Sequence, residues 1–253
     1  MPFDGKNVVV TGGAGGIGSL ICKSLLEKGA KLTIVDRVTE LDINGIVDLI
    51  QGDLSTQQGI LTVAEALRQQ AVDVLINLAG LQYFGLFEDQ PPEHLIKMYM
   101  VNLVAPVLLT QAILPAMKSQ GYGHIVNVGS TFGSINFAHF VTYSSTKSGL
   151  KGFSEALRRE IDDLGIHVTY VAPRAVKTPL NTEKVMQLAE MTKMNMDSPE
   201  YVAEKIIQAI IHKKKDAYIG FPESLFVRIN AVMPRLVDRA LAGNDKKARM
   251  LFN

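Results

Sequence analysis

Short β-branched runs alternate with longer amphipathic runs along this chain, the rhythm of βαβ units wound around a parallel sheet. The pattern predicts strands at Asn7–Val10, Lys31–Val35, Val47–Gln51, Val72–Asn77, His124–Val128, His167–Val171 and Ala217–Ile219. Helices are expected between them, near Gly16–Lys28, Thr56–Gln70, Glu93–Lys118, Thr142–Leu164 and Pro199–Lys214. Several strands are apolar almost throughout, which suits a sheet covered on both faces. Ser198 followed by Pro199 marks a helix start, a cap and then a first-turn proline. The expected fold class is α/β, a doubly wound parallel sheet of about seven strands in one domain spanning residues 1–253. Two stretches break the alternation. Residues 174–198 are polar, methionine-rich and weakly patterned, and are expected to form a lid loop over a substrate. Residues 221–253 follow the last strand as a C-terminal extension.

Composition narrows the function without deciding it. The 253 residues are 47% hydrophobic and 20% charged, which excludes disorder over most of the length. With 26 Lys+Arg against 25 Asp+Glu, the formal charge of +1 provides no global field for gripping nucleic acid. A single cysteine, Cys22, cannot form an internal disulfide, which fits a reducing, cytoplasmic setting. Met1–Asn7 lacks the basic start and apolar centre of a signal peptide. The most apolar run, Val101–Met117, is interrupted by Asn102, Pro106, Thr110, Gln111 and Pro115, and is not expected to span a bilayer. No His/Cys/carboxylate spacing suggests a metal site.

Candidate chemistry begins where the first strand runs into Thr11-Gly12-Gly13-Ala14-Gly15-Gly16-Ile17-Gly18 and then a helix. Glycines there let the backbone turn sharply and let a pyrophosphate approach the main chain, while the helix N-terminus supplies free N–H groups. A glycine-rich run alone is a weak signal. This one has a strand before it, a helix after it, and an acid, Asp36, closing the second strand 18 residues beyond Gly18. A carboxylate at that place accepts the hydroxyls of an adenosine ribose and repels a 2′-phosphate, so NAD is favoured over NADP; Arg37 is the counter-signal.

Tyr143 and Lys147 lie four apart, on one face of a predicted helix. The pair is common by chance, but Ser130 stands at the end of a strand thirteen residues earlier. The glycine loop, Asn77–Gly80, Ser130 and Pro173 all fall at carboxyl ends of strands, where an open α/β sheet binds its ligands. A lysine ammonium roughly 5 Å from the phenol, at an effective dielectric near 20, is expected to lower the tyrosine pKa by on the order of two units. The phenol could then exchange a proton with an alcohol while Ser130 orients the substrate oxygen.

On these residues the chain resembles the short-chain dehydrogenase/reductase family, in its branch of roughly 250-residue single domains. The resemblance covers about residues 5–220 and rests on Thr11-Gly12-x-x-x-Gly16-x-Gly18, Asp36, Asp53-Leu54, Asn77-Leu78-Ala79-Gly80, Asn102, Ser130, Tyr143-x-x-x-Lys147 and Pro173 through Pro179. It implies a Rossmann-type fold and oxidation of an alcohol, or reduction of a ketone, with a nicotinamide cofactor. It implies that Gly12, Gly15, Gly16, Ile17 and Gly18 shape the pyrophosphate turn. Asp36 and Arg37 would flank the ribose, Asp53 and Leu54 the adenine, and Asn77, Ala79 and Gly80 the strand end beneath the cofactor. Pro173, Val176 and Thr178 would meet the nicotinamide end, with Lys147 on its ribose. Asn102 would complete a tetrad with Ser130, Tyr143 and Lys147 through a water. Pro106, four residues after Asn102, lacks the N–H that would bond the carbonyl of residue 102, leaving it open to that water.

Three positions depart from the pattern. Leu78 stands where a second asparagine is usual, Gly129 where serine is frequent, and Arg174 where glycine is usual. Arg174 is expected either to reach cofactor phosphates or an anionic substrate group, or to be a solvated loop residue. The stretch between Asp36 and Asp53 is too short for a full helix and leaves the adenine side more open.

Leu81, Tyr83, Phe84, Phe87, Phe132, Phe137, His139 and Phe140, with Met186, Met191, Met194 and Met196, favour a lipophilic alcohol or ketone over a sugar. A homodimer or homotetramer is expected through the helices at Glu93–Lys118 and Thr142–Leu164. The tail carries Leu225, Phe226, Ile229, Val232, Met233, Leu236, Val237, Ala240 and Leu241 at helical spacing with basic residues between them. Packing against the protein is favoured there over peripheral contact with a membrane. Two other classes are disfavoured: a nicotinamide-binding sensor or scaffold without turnover, which has no need of Ser130, Tyr143, Lys147 and Asn102 together, and an epimerase or dehydratase, against which the short chain and the glycine spacing argue.

Overall fold

The computed structural model describes residues 2–43 and 45–252. In chain order it holds β1 (Asn7–Thr11), α1 (Gly16–Glu27), β2 (Lys31–Asp36), β3 (Val47–Gln51), α2 (Gln57–Arg68), β4 (Val74–Asn77), α3 (Pro92–Tyr99), α4 (Ala105–Gln120), β5 (Gly123–Val128), α5 (Val141–Glu160), β6 (Ile166–Pro173), α6 (Glu183–Thr192), α7 (Pro199–Ile211), β7 (Asp216–Ile219), α8 (Glu223–Val232) and α9 (Pro234–Arg249). The seven strands form one parallel sheet in the order β3-β2-β1-β4-β5-β6-β7. The order reverses between β1 and β4, with Thr11 level with Asn77, so a crevice opens at those strand ends.

Both faces of the sheet are covered, which is why its strands read as apolar runs. On one face Val8, Val10, Ile34 and Ile76 pack with Ile21 and Leu25 of α1 and Ile206 and Ile210 of α7. On the other, Val9, Val35, Leu75 and Ile125 pack with Ile60 and Leu67 of α2 and Leu109 and Ile113 of α4. The single cysteine, Cys22, lies in the first of these layers, where burial and the nearby Asp36 charge push its thiol up to about 12.

Several boundaries follow from named residues. Thr56 accepts a hydrogen bond from Gly59 N and starts α2. Ser198 accepts from Tyr201 N, with Pro199 in the first turn of α7. Gly121, at φ 69°, ends α4 in the left-handed region. Between β2 and β3 the described residues form no helix, as the short spacing requires.

Two expectations are corrected. Residues 174–198 are not a loop throughout, because α6 lies within them. Thr182 caps it by accepting from Val185 N, and Val185, Leu188 and Ala189 form its buried stripe. The exposed methionine Met186 and the surrounding charge hide that stripe in the sequence. Second, Pro92–Gln120 runs as one helical stretch of 29 residues, long and apolar enough by length and composition to cross a membrane. Asn102 and the prolines do not break it. The chain instead widens to a π turn at Met100–Val104, where Ala105 N donates to Met100 O, just before the donor-less Pro106. Half of its most apolar stretch is buried within the fold.

The C-terminal extension forms the helices α8 and α9, divided at Pro234 as the periodicity implies. Val227 and Val237 anchor it to Ile135. Farther on, Phe252 packs edge-on to Phe84 at 5.0 Å and lies 5.0 Å from the His139 ring.

Candidate active site

The glycine turn sits at the crevice. Gly12 has φ 72°, and a Cβ on it would come within 2.9 Å of Ala79 Cα, so a side chain is excluded twice over. A Cβ on Gly18 would collide with Gly12 O; this glycine lets α1 start against the turn. Gly15 caps α1 and has no side chain to bond back, so no side chain caps the first N–H groups of the helix. A Cβ on Gly16 would project into the groove, 3.7 Å from Pro179 and 3.9 Å from Thr178. The bare helix end and the space kept free by glycine fit a pyrophosphate.

The groove beyond is lined by Gly12, Gly15, Gly16, Ile17 and Gly18, by Asp36 and Arg37, and by Leu54, Ala79 and Gly80. Asp36 Oδ2 accepts from Ala14 N at 3.1 Å and Oδ1 from Arg37 N at 2.7 Å. These bonds hold the carboxylate at the groove with lone pairs to spare. Asp53 is not among the lining residues; its carboxylate accepts from Ser55 N, which holds its pKa below the usual range. Asn77 also turns away, donating to Asn127 Oδ1 beneath the strand ends. Leu78, the departure from the family pattern, costs no backbone tie, because Thr11 Oγ1 accepts from both Leu78 N and Ala79 N at 3.1 Å.

At the other end, a cavity of about 140 Å³ is lined by Ser130, Tyr143, Lys147, Pro173, Val176 and Thr178, among others. Lys147 Nζ donates to Val128 O at 3.0 Å and stands 5.8 Å from the centre of the Tyr143 ring. Gly80 keeps this corner open; a Cβ there would stand 3.7 Å from Lys147 Nζ and 3.5 Å from Asn102 Oδ1. Asn102 is fully buried and outside the cavity lining. Its Oδ1 accepts from Leu81 N at 2.7 Å, and its Nδ2 donates to Leu81 O and to Thr146 Oγ1. The side chain therefore ties the β4–α3 connection to α5, which carries Tyr143 and Lys147.

The electrostatics correct one expectation. Burial pushes the Tyr143 phenol up to about 12, and only the neighbouring Ser130 hydroxyl opposes it. Burial likewise pulls the Lys147 ammonium down to about 8. Desolvation in this dry corner is the dominant effect on both groups, so the phenol stands above its ordinary value rather than below it. The protein's own groups hold both side chains towards their neutral forms.

That burial has a measurable consequence for stability. Below pH 8 a charged Lys147 is buried at a cost of about 3 kcal/mol. Between about pH 8 and 10.5 the unfolded chain binds a proton that the folded chain has released, so this residue's contribution to stability rises with pH. The gap between the native protein and Lys147→Met, measured by urea denaturation without added cofactor, should therefore move in the native protein's favour by about 1.4 kcal/mol per pH unit from 8 to 10. Parallel curves for the two proteins would refute the buried-ammonium account.

Two departures from the family pattern acquire reasons. A Cβ on Gly129 would collide with the phenol of Tyr170. Tyr170 instead donates to Ser130 O at 3.2 Å and accepts from Ser130 N at 3.4 Å, fixing the serine from behind. Glycine here makes room for tyrosine there. Arg174 borders the cavity but is engaged within the protein rather than solvated. Its guanidinium pairs bidentately with Asp197 at 2.7 and 3.0 Å, reaches Glu223 at 2.9 Å and donates to Phe221 O. It fastens the end of β6 to Asp197, just before α7, and to α8. Gly220, at φ 102°, leaves space for its stem, which a Cβ would approach to 2.5 Å.

Of the apolar residues expected near substrate, Phe132, Phe140 and Met194 line the cavity. Phe84 packs behind it against Phe140, and Phe87 and Met186 are exposed. Gln82, Leu180, Asn181 and Val185 also line it and were not singled out in the sequence. Their signal was position: Gln82 follows the β4 strand end, and the others follow Pro179.

A sheet that reverses at a glycine-cradled crevice, with a buried tyrosine and lysine at its far end, defines a nucleotide-dependent oxidoreductase. The short chain dehydrogenase family profile matches residues 6–189. The chain belongs to the short-chain dehydrogenase/reductase family, whose members act on CH–OH groups with NAD(P) and a small-molecule substrate. It is 29% identical to dehydrogenase/reductase SDR family member 7B of Danio rerio, over 96% of this chain and 86% of that protein. It is 29% identical to 3-ketodihydrosphingosine reductase of Mus musculus, over 87% of this chain and 73% of that one. A Burkholderia cenocepacia short-chain dehydrogenase solved in complex with NADP superposes with a TM-score of 0.82 at 23% identity, covering 95% of this chain and 99% of its own; this likeness is one of fold.

Proposed function

We propose that the protein interconverts a secondary alcohol and a ketone on a lipophilic molecule with NAD(H). The observation that carries the reaction is the buried Tyr143–Lys147 pair, opening beside Ser130 onto a wall of Phe132, Phe140, Leu180, Val185 and Met194. Tyr143 exchanges the proton of the substrate oxygen, and Ser130 orients that oxygen. Asn102 acts as a positioning residue, because its side chain braces the loop carrying Gly80. Gly12, Gly15, Gly16, Ile17 and Gly18 hold the pyrophosphate, and Pro173, Val176 and Thr178 border the nicotinamide. When bound, the nicotinamide accepts or donates the hydride, and in its oxidised form its positive charge opposes the burial that keeps the phenol protonated.

The enclosed end, at about 140 Å³, is smaller than a typical pocket for a drug-sized ligand, so it holds the reacting end of a longer molecule. The resemblance to a 3-ketodihydrosphingosine reductase supports a keto or hydroxy lipid. A screen of such lipids by NADH absorbance tests this; turnover of sugars in preference to lipids would overturn it.

Asp36 supports NAD over NADP, since its carboxylate stands in the groove at the end of β2 and would repel a 2′-phosphate. Arg37 beside it, and the fold's occurrence with NADP, support the second reading, an NADP(H)-dependent reductase. Fluorescence titration should show NADH binding tighter than NADPH, and Asp36→Ser should weaken NADH by roughly 10- to 100-fold through the lost charged hydrogen bonds. Tighter NADPH binding by the native protein would decide for the second reading.

A further inference from the structure

Helices α8 and α9 are anchored from one side only. Val227 and Val237 are buried against the body of the protein, while the outer side of the hairpin is apolar and open. Leu225 and Val232 lie seven residues apart on the outer side of α8, Phe226 stands beside them, and Met233 follows directly at the helix end. Val232 is 80% exposed, Phe221 is 74% exposed, and Leu225, Phe226, Met233 and Leu236 are each exposed as well. Five large exposed apolar side chains on one short helix pair, with Phe221 just before it, are more than scattered surface hydrophobicity.

The charges on the same hairpin narrow what could cover it. Arg228, Arg235 and Arg239 are all exposed. Of the carboxylates in α8 and the first turns of α9, Glu223 is committed to Arg174, which leaves only Asp238, 3.3 Å from Arg235. A second copy of this chain docked about a two-fold axis would set these arginines against their own counterparts. An anionic lipid surface answers both features, taking the apolar side chains into its acyl boundary and the arginines at its headgroups.

We propose that the α8–α9 hairpin docks this protein onto anionic membranes. The hairpin starts where β7 ends, on the crevice side of the sheet, and Arg174 fastens its first turn to the cleft wall through Glu223. Docking therefore brings the catalytic cleft alongside a surface in which lipophilic molecules are dissolved. It does not depend on the assigned reaction, and it is read without turnover.

The experiment is flotation of the full-length protein with vesicles of phosphatidylcholine alone and with about one-third phosphatidylserine. The native protein should float with the anionic vesicles, stay down with the neutral ones, and be released by high salt. The double variant Val232→Asp/Met233→Asp should lose flotation. The triple variant Arg228→Gln/Arg235→Gln/Arg239→Gln should bind about 100-fold more weakly, at roughly a factor of five for each charge. NADH titration should be unchanged in both variants, confirming that the fold is intact. Absence of flotation by the native protein, or equal flotation by the double variant, overturns the proposal. So does a native dimer in sedimentation that the double variant splits while neither protein binds vesicles, because the apolar side chains would then belong to a second copy.

Discussion

Replacing Tyr143 by phenylalanine should reduce turnover by about 10³-fold while leaving NADH binding within a factor of two or so of the native value, on any alcohol or ketone the native protein accepts. The ring is buried in an aromatic cluster, 6.2 Å from Phe132, and phenylalanine preserves that packing. Only the phenol oxygen is lost. Ser130 and Lys147 line the same cavity and are the groups nearest in chemistry to a replacement. Lys147 is turned toward Val128 O, and Ser130 Oγ accepts from Phe132 N. Neither is placed to take over the proton transfer. Single-turnover kinetics with fluorescence detection of NADH separates the two effects. Activity within tenfold of native would remove Tyr143 from the mechanism. Lost activity that tracks lost NADH binding, and returns at saturating NADH, would recast it as a cofactor contact.

Arg174→Gln should destabilise the fold by about 3 kcal/mol or more, because it leaves the Asp197 carboxylate, 9% exposed, without its bidentate partner. For a chain of this size, that lowers the melting temperature by roughly 10 °C. The loss should extend beyond stability. Asp197 is also paired through its backbone to Ala175 and Lys177, on either side of Val176, which lines the catalytic cavity. Loosening it should raise KM more than it lowers kcat. A double-mutant cycle with Asp197→Asn isolates the pair: the double variant should recover part of the stability lost by the single one, since a neutral amide is cheaper to leave buried than a charge. Stability within about 0.5 kcal/mol of native in Arg174→Gln would show the clasp to be ornamental.

How far the sequence reveals this molecule depends on how local each signal is. Strands buried on both faces announce themselves as apolar runs, and all seven are legible to within a few residues. The glycine turn and the Tyr143–Lys147 spacing are equally local, since each is set by one turn of backbone. The Arg174 clasp is not local. Its partners lie 23 and 49 residues away, and nothing near Arg174 names them. The same holds for Gly129, whose small size answers a tyrosine from the next strand. The helix α6 was obscured differently, because a three-residue stripe in a short charged segment is too weak a pattern. The protonation of the site was misjudged for a physical reason. The Tyr143–Lys147 spacing reveals that the two groups are neighbours but not how deeply they are buried, and desolvation dominates both.

The described residues between β2 and β3 form no helix, which bears on the rhythm of turnover. An adenine lying along Leu54 and Val38 would be gripped mainly from beneath, with its outer edge open to solvent. Departure of spent coenzyme then faces a low barrier, and the slow event in each cycle shifts to the transfer of hydrogen itself. Deuterium placed on the transferring carbon should slow steady-state turnover visibly, where a tightly roofed coenzyme would mask the isotope.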